Sequence, residues 1–77
     1  MQVHVRVTGL LTEYFPAGKE VLTVSLSKPL TVKEILQQIQ VNHQLVMTVV
    51  VNGQRRDLSY KPADNAEIVL ISPLAGG

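Results

Sequence analysis

One segment of the chain has the spacing of an amphipathic helix, and segments with the alternation of β-strands flank it. Four apolar residues in TVKEILQQIQ stand at positions i, i+3, i+4 and i+7 and so share one helical stripe: Val32, Ile35, Leu36 and Ile39. Thr31 and Glu34 have the spacing of a capping box, in which each side chain binds a backbone N–H group of the first turn. The sequence therefore predicts one helix over residues 31–40.

The segments on both sides of this helix have the composition and period of strands. Alternation of apolar and polar residues in QVHVRVT predicts a first strand over about 2–8, and EVLTVSLS predicts a second strand that pairs with it. After the helix, the run LVMTVVV is rich in β-branched residues, and the Asn52-Gly53 pair that follows is typical of a tight hairpin turn. A third strand, a short fourth strand and a last strand in IVLIS complete the order.

This order limits the fold, because one helix can cover only one face of a small sheet. The chain of 77 residues has the length of one domain, and we predict that residues 1–77 form it, with residues 73–77 as a flexible C-terminal arm. The predicted class is α+β. The predicted architecture is a β-grasp, a mixed sheet of about four to five strands in which the last strand runs parallel beside the first at the centre.

Charge and cysteine content argue against several classes of function. The formal net charge is +1 and the seven basic residues are scattered, so we expect no nucleic-acid partner. Without cysteine, the chain has no disulfide, no thiolate metal site and no thiol nucleophile. No apolar run approaches the length of a membrane span, and the alternating N-terminus is unlike a signal peptide. We therefore expect a cytoplasmic protein without a membrane partner.

No internal active site is predicted. His4 and His43 are far apart in the sequence and lack further ligands at metal-binding spacing, so we expect no metal. The acidic residues Asp57, Asp64 and Glu67 are interpreted as solvated loop residues. No serine or threonine has the acid–base partners of a catalytic triad. We accordingly expect no bound cofactor.

The C-terminal sequence SPLAGG contains the group with the most distinctive chemistry. The α-carboxylate of Gly77 is a poor electrophile, but as an acyl-adenylate it has AMP as a leaving group, and a sulfur or amine nucleophile can then attack it. Glycine lacks a Cβ atom and can therefore enter a narrow channel with backbone angles that are closed to other residues. We interpret Gly76-Gly77 as an end that another enzyme binds and activates.

The whole chain resembles the MoaD/ThiS family of ubiquitin-like sulfur carriers, in VHVRV, LTVKEILQQI, VVVNG and DNAEIVLISPLAGG. The terminal glycines and the strand before them are the specific part. The resemblance implies that a ubiquitin-activator-like adenylyltransferase uses ATP to adenylate Gly77, which is then converted to a thiocarboxylate that donates its sulfur to a cofactor precursor. From its position beyond the last predicted strand, we also predict that partners bind the rest of the arm: Pro73, Leu74, Ala75 and Gly76.

Two branches of the family are similar to different parts of the chain. The tail SPLAGG and the short stretch before the last strand look like the small subunit of molybdopterin synthase, whose partner is the synthase's large subunit. The brief connection VNHQLVMTVVVNG looks more like the thiamine-pathway carrier that feeds thiazole synthase. We favour the molybdopterin branch. Alternatives are a tRNA-thiolation carrier, a ubiquitin-like protein modifier and a non-catalytic β-grasp interaction module.

One residue departs from the family pattern. Asn65 stands where the family often has glycine in a turn. Asparagine tolerates the left-handed backbone conformation, so we expect the turn to form.

The third and last strands are apolar at almost every position, although the helix can cover only one face of the sheet. Alternation in IVLIS leaves Val69 and Ile71 on the face opposite the helix. In the third strand, the polar Thr48 indicates that Val50 faces outward as well. Exposed apolar patches commonly bind partners, so we predict a partner surface of Val69, Ile71 and Val50, with Arg55 outside it.

Overall fold

The computed structural model describes residues 1–7 and 21–72 of the chain. In chain order, its elements are β1 (Gln2–Val7), β2 (Val21–Ser25), α1 (Val32–Gln38), a short 3-10 helix (His43–Leu45), β3 (Thr48–Val51), β4 (Gln54–Arg56) and β5 (Glu67–Ile71). The predicted order of strands and helix is confirmed for these residues. The arm at residues 73–77 lies outside the described residues.

The five described strands form one mixed sheet in the order β2-β1-β5-β3-β4. β1 pairs with β2 and β3 pairs with β4 as antiparallel neighbours, whereas β5 runs parallel to β1 and antiparallel to β3. In this register Val5 lies beside Ile68, and Leu70 lies between Val7 and Val49. The last strand therefore lies beside the first at the centre of the sheet, as predicted for a β-grasp.

The core lies between α1 and one face of this sheet. Three of the four residues of the predicted helical stripe are buried in it, and the fourth, Ile39, is half-buried at the end of the helix. On the sheet side, Ile68 and Leu70 of β5 are 1% and 0% exposed and belong to the same apolar cluster. The predicted inward face of β5 is therefore confirmed.

The helix begins with the predicted capping box. The Thr31 hydroxyl accepts a hydrogen bond from the backbone N–H of Glu34 at 3.1 Å, and the Thr31 backbone N–H donates to Glu34 Oε1 at 2.9 Å. Hydrogen bonds from the Thr31 backbone and hydroxyl hold the pKa of Glu34 below its usual value. Two backbone donors that would otherwise lack partners are thus satisfied.

The helix ends two residues before the predicted position, because Gln40 has a left-handed backbone with φ of 62°. The N–H of Val41 donates to the carbonyl of Leu36 at 2.9 Å, and that of Gln40 donates to the carbonyl of Gln37 at 3.1 Å. This pair of bonds is a Schellman motif, in which the left-handed position is usually glycine. In this chain the left-handed position is occupied by Gln40, which has a Cβ atom.

The chain before β3 also differs from the prediction. The apolar run LVMTVVV suggested a strand throughout, but Leu45 ends the 3-10 helix and β3 begins only at Thr48. Asn42 caps the 3-10 helix, since its side-chain oxygen accepts a hydrogen bond from the N–H of Gln44 at 2.9 Å. The capping interaction favours a helical turn over extension of the strand.

Two asparagines with positive φ lie in turns, one between β3 and β4 and one in the loop before β5. Asn52 and Gly53 have φ of 50° and 81° and form the predicted two-residue turn between β3 and β4. Asn65 has φ of 63°, as expected from its position, and its N–H donates to the carbonyl of Gln2 at 2.7 Å. The loop before β5 is therefore tied to the start of β1.

Gln40→Gly should raise the free energy of unfolding by about 0.5–1 kcal/mol, because glycine adopts positive φ without the steric cost of a Cβ atom. The matched control is Gln37→Gly inside α1, which should lower the same quantity by about 1 kcal/mol. Thermal unfolding of both variants measures the effect. A loss of stability in Gln40→Gly similar to that of the control would contradict the left-handed end of the helix.

Ile35→Ala should lower the free energy of unfolding by about 2–5 kcal/mol, because Ile35 is 1% exposed and its truncation leaves a cavity in the core. Lys33→Ala, at an exposed position of the same helix, should change stability by no more than about 0.5 kcal/mol. Chemical denaturation compares the two variants. Equal midpoints for them would show that the buried face of the helix is assigned wrongly.

Candidate functional site

The face of the sheet opposite α1 carries the predicted partner surface. Strand register aligns four of its residues in one row across four strands, from Arg6 through Val69 and Val50 to Arg55. Residues aligned in this way point to the same side of a sheet. Val69 and Val50 are half-buried, whereas both arginines are exposed.

A second row extends this face toward the end of the sheet where β5 finishes. Thr48 lies beside Ile71, and both are half-buried. The three predicted partner residues, Val69, Ile71 and Val50, therefore lie together on one face. Val21 of β2, 45% exposed, lies beside Arg6 at the opposite edge of the sheet and was not predicted. Alternation in EVLTVSLS was the signal that could have identified it.

The prediction that Arg55 lies outside this surface is wrong, because the two-residue turn aligns Arg55 with Val50. Alternation then sends the next residue, Arg56, to the other side of the sheet. There its guanidinium carbon lies 4.6 Å from the centroid of the Tyr60 ring, and its Nη2 atom donates to Gln54 Oε1 at 2.6 Å. Arg55 and Arg56 are adjacent in sequence but lie on opposite faces of the sheet.

The acidic residues have structural contacts that the sequence analysis missed. Asp64 Oδ1 accepts a hydrogen bond from the N–H of Gln2 at 2.8 Å, which ties it to the start of β1. Asp57 Oδ1 accepts from the hydroxyl and the backbone N–H of Ser59, and these bonds hold the pKa of Asp57 below its usual value. Glu67 lies in β5 and not in a loop. Asp57 and Asp64 are thus exposed loop residues as predicted, with structural hydrogen bonds in addition, whereas the interpretation of Glu67 as a loop residue is corrected.

An open groove of about 670 Å³ lies between the start of β3 and the segment 55–59. Its apolar part includes Met47, which is 63% exposed, and Leu58. The carboxyl group in it is Asp57, whose lowered pKa keeps it ionised and makes it a weak base at neutral pH. The groove therefore offers an apolar and charged surface without a tuned acid–base group.

The described residues contain neither a metal site nor a membrane span. No three His, Asp or Glu side chains within residues 1–7 and 21–72 are grouped as a metal ion would require. In the same part of the chain, no helix combines the length and hydrophobicity needed to cross a membrane.

The predicted reactive arm begins at the centre of the sheet. Gly77 and the arm residues Pro73, Leu74, Ala75 and Gly76 lie outside the described residues. β5 ends at Ile71, whose carbonyl accepts a hydrogen bond from the N–H of Met47 at 2.8 Å. Because Ile71 belongs to the outward face, the apolar surface reaches the end of the sheet where β5 finishes.

Comparison with known proteins identifies relatives by family and by fold. The model of the ThiS family matches residues 5–77 of the chain, whereas no curated protein matches it in sequence. SAMP1 from Haloferax volcanii is similar in structure, with a TM-score of 0.75 and 21% identity over 100% of both chains. Urm1 from Trypanosoma brucei has a TM-score of 0.72 and 18% identity, over 99% of this chain and 95% of its own.

A third similar structure is the complex of subunits 1 and 2 of molybdopterin-converting factor from Helicobacter pylori 26695. The chain matches it with a TM-score of 0.62 and 25% identity over 100% of both chains. The ubiquitin-like β-grasp fold of these structures agrees with the sheet order and the single described α-helix. Since the family match covers nearly the whole sequence, the chain belongs to the ThiS family of ubiquitin-like sulfur carriers.

Proposed function

We propose that this chain carries sulfur as a thiocarboxylate on Gly77. The observation that carries the proposal is the match to the ThiS family, which extends through Gly77. In the first step, the Gly77 carboxylate attacks the α-phosphorus of ATP on a ubiquitin-activator-like adenylyltransferase and releases pyrophosphate. A sulfur nucleophile then attacks the acyl carbon, AMP leaves, and sulfur replaces one carboxylate oxygen.

We further propose that the sulfur is used in molybdopterin synthesis. The partner is then the large subunit of molybdopterin synthase, and the cofactor precursor accepts the sulfur. Two observations support this branch. The tail SPLAGG resembles that of the small subunit, and the chain matches a structure from the H. pylori complex of molybdopterin-converting factor subunits over its full length. The pathway is that of the molybdenum or tungsten cofactor.

Two other destinations have specific support. The family model that matches the chain is that of ThiS, which favours delivery of sulfur to thiazole synthase in thiamine synthesis. The likeness to SAMP1 favours a protein modifier, in which the adenylated Gly77 is transferred to a lysine of another protein. All three functions begin with the same adenylate. The two sulfur pathways share the sulfur nucleophile and differ in the molecule that accepts the sulfur, whereas in a modifier a lysine amine attacks the acyl carbon and AMP leaves.

The partner surface proposed for these reactions is the outward apolar face, with Val69, Ile71 and Val50. These side chains are half-buried on a face that α1 does not cover, and removing them from water on binding is favourable. Ile71 is the last residue of β5, so a partner bound over this face would lie next to the start of the arm. Leu74 is the one large side chain of the arm, and we propose that it anchors the arm in the partner's active-site channel.

Incubation with the adenylyltransferase of the same organism, ATP and a sulfide source should raise the intact mass by the difference between sulfur and oxygen. Deletion of Gly77, or of Gly76 and Gly77, should abolish this gain and leave the melting midpoint unchanged, because both residues follow the last strand. A wild-type chain that gains no sulfur, or a deletion variant that does, would contradict the proposal. The large subunit of molybdopterin synthase and thiazole synthase are then added separately, each with its own precursor. Only the enzyme of the correct pathway should remove the sulfur and return the intact mass to its starting value.

Ile71→Glu should weaken binding to the adenylyltransferase by at least about 2 kcal/mol, because it places an unpaired charge in an apolar contact. The fold should be retained, since Ile71 is only half-buried. Lys33→Glu, exposed on the helix, is the control and should bind as the wild type does. Titration calorimetry measures both affinities, and equal values for the two variants would show that the interface lies elsewhere.

A further inference from the structure

The outward face has a pattern of charge that the apolar partner surface alone does not explain. In the row that crosses it, the two valines lie at the centre with Arg6 on one side and Arg55 on the other, and Val21 lies beyond Arg6. Neighbouring strands are roughly 4.8 Å apart, so the three steps from Arg6 to Arg55 separate their Cα atoms by roughly 14 Å. The side chains of Val69 and Val50 thus lie between two cations.

Neither cation is neutralised by the described part of the protein. Arg6 and Arg55 make no ion pair and no side-chain hydrogen bond within residues 1–7 and 21–72. Glu67 belongs to the same face, but it lies beside His4, one row away, and makes no ion pair with either arginine. His4 in turn contacts the Thr23 hydroxyl through Nδ1 at 3.1 Å. Among the described residues, both guanidinium groups therefore lack an acidic partner.

An apolar centre with charged groups at its margin is the usual composition of a protein–protein interface. The central contacts provide most of the affinity, and charges at the margin raise the association rate and exclude partners of the same sign. Arginine is well suited to this position because its planar guanidinium binds a carboxylate through two hydrogen bonds. The row therefore has the properties of a surface that selects an acidic partner.

We propose that Arg6 and Arg55 determine which adenylyltransferase the carrier recognises, by pairing with carboxylates on two sides of an apolar patch on that enzyme. The two acidic positions should be separated by roughly the 14 Å between the arginines. This inference rests on the proposed function, since the partner is the enzyme that adenylates Gly77. An enzyme with basic residues at those positions would be rejected by repulsion.

Other occupants fit this face less well. A second copy that packed its valines on these valines about a two-fold axis through the centre of the row would bring the arginines of one copy against those of the other. Nucleic acid would need a longer series of cations and has no use for the apolar centre. A protein surface with opposite charges matches both the valines and the arginines.

The test uses charge reversal at the two positions, alone and together, as Arg6→Glu and Arg55→Glu. Arg56→Glu is the matched control, because it makes the same change in net charge at the next residue of β4 but on the other face. Lys33→Glu on the helix is a second control. The rate of pyrophosphate release by the adenylyltransferase of the same organism is measured against carrier concentration, with circular dichroism to check the fold.

At low ionic strength, the double reversal should lower kcat/KM at least about tenfold, the lower end of electrostatic effects on association. The loss should appear in KM, with kcat unchanged, because the arm and its chemistry are intact. It should shrink at roughly 0.5 M salt, where charges are screened over a few ångströms. Each control should stay within about twofold of the wild type, since surface charges far from an interface contribute little.

Reversal variants that match the controls, or that lower kcat alone, would overturn the inference while an active wild type leaves the proposed function standing. A wild-type chain that is not adenylated would overturn both. Arg6→Gln and Arg55→Gln remove charge without introducing a carboxylate, and their combination should show a smaller loss in kcat/KM. These neutral variants keep the inference testable if a reversal variant fails to fold.

Discussion

The parallel pairing of β1 with β5 is the interaction on which the rest of the structure depends. It joins residues near the start of the chain to residues near its end, with Val5 beside Ile68 and Val7 beside Leu70. The loop before β5 strengthens this pairing, because Asp64 and Asn65 both bind the backbone of Gln2. With β5 at the centre, one of its faces lies against the core and the other is available to a partner.

This central position links the arm to the surface that we propose for its partners. β5 ends beside Thr48 at one end of the sheet, and its last residue, Ile71, faces outward. An enzyme that contacts the outward face therefore lies next to the start of the arm. A partner bound to this face would have Gly77 tethered six residues beyond Ile71, and such tethering lowers the entropic cost of a reaction.

The β3–β4 turn has a comparable effect on the charge of the face. Positive φ at Asn52 and Gly53 closes the hairpin with two residues, and this length alone decides that Arg55, and not Arg56, aligns with Val50. A turn longer by one residue would exchange the two arginines between faces, since side chains alternate along a strand. The proposed selectivity for an acidic partner thus depends on the geometry of one turn.

By itself, the sequence determined the features that arise from residues a few positions apart. The helical stripe, the capping box at Thr31, the Asn-Gly turn and the two faces of β5 were all predicted, because periodicity and capping are local properties. The ends of elements were less accurate, since the left-handed Gln40 and the capped 3-10 helix compete with the periodic pattern. The sequence also predicted that the last strand lies beside the first, but only the tertiary structure decided the register of the strands and therefore that Arg6, Val69, Val50 and Arg55 form one row. The local turn aligns Arg55 with Val50, but the alignment of Arg6 and Val69 with them depends on hydrogen bonds between strands distant in sequence, and no local pattern encodes that register.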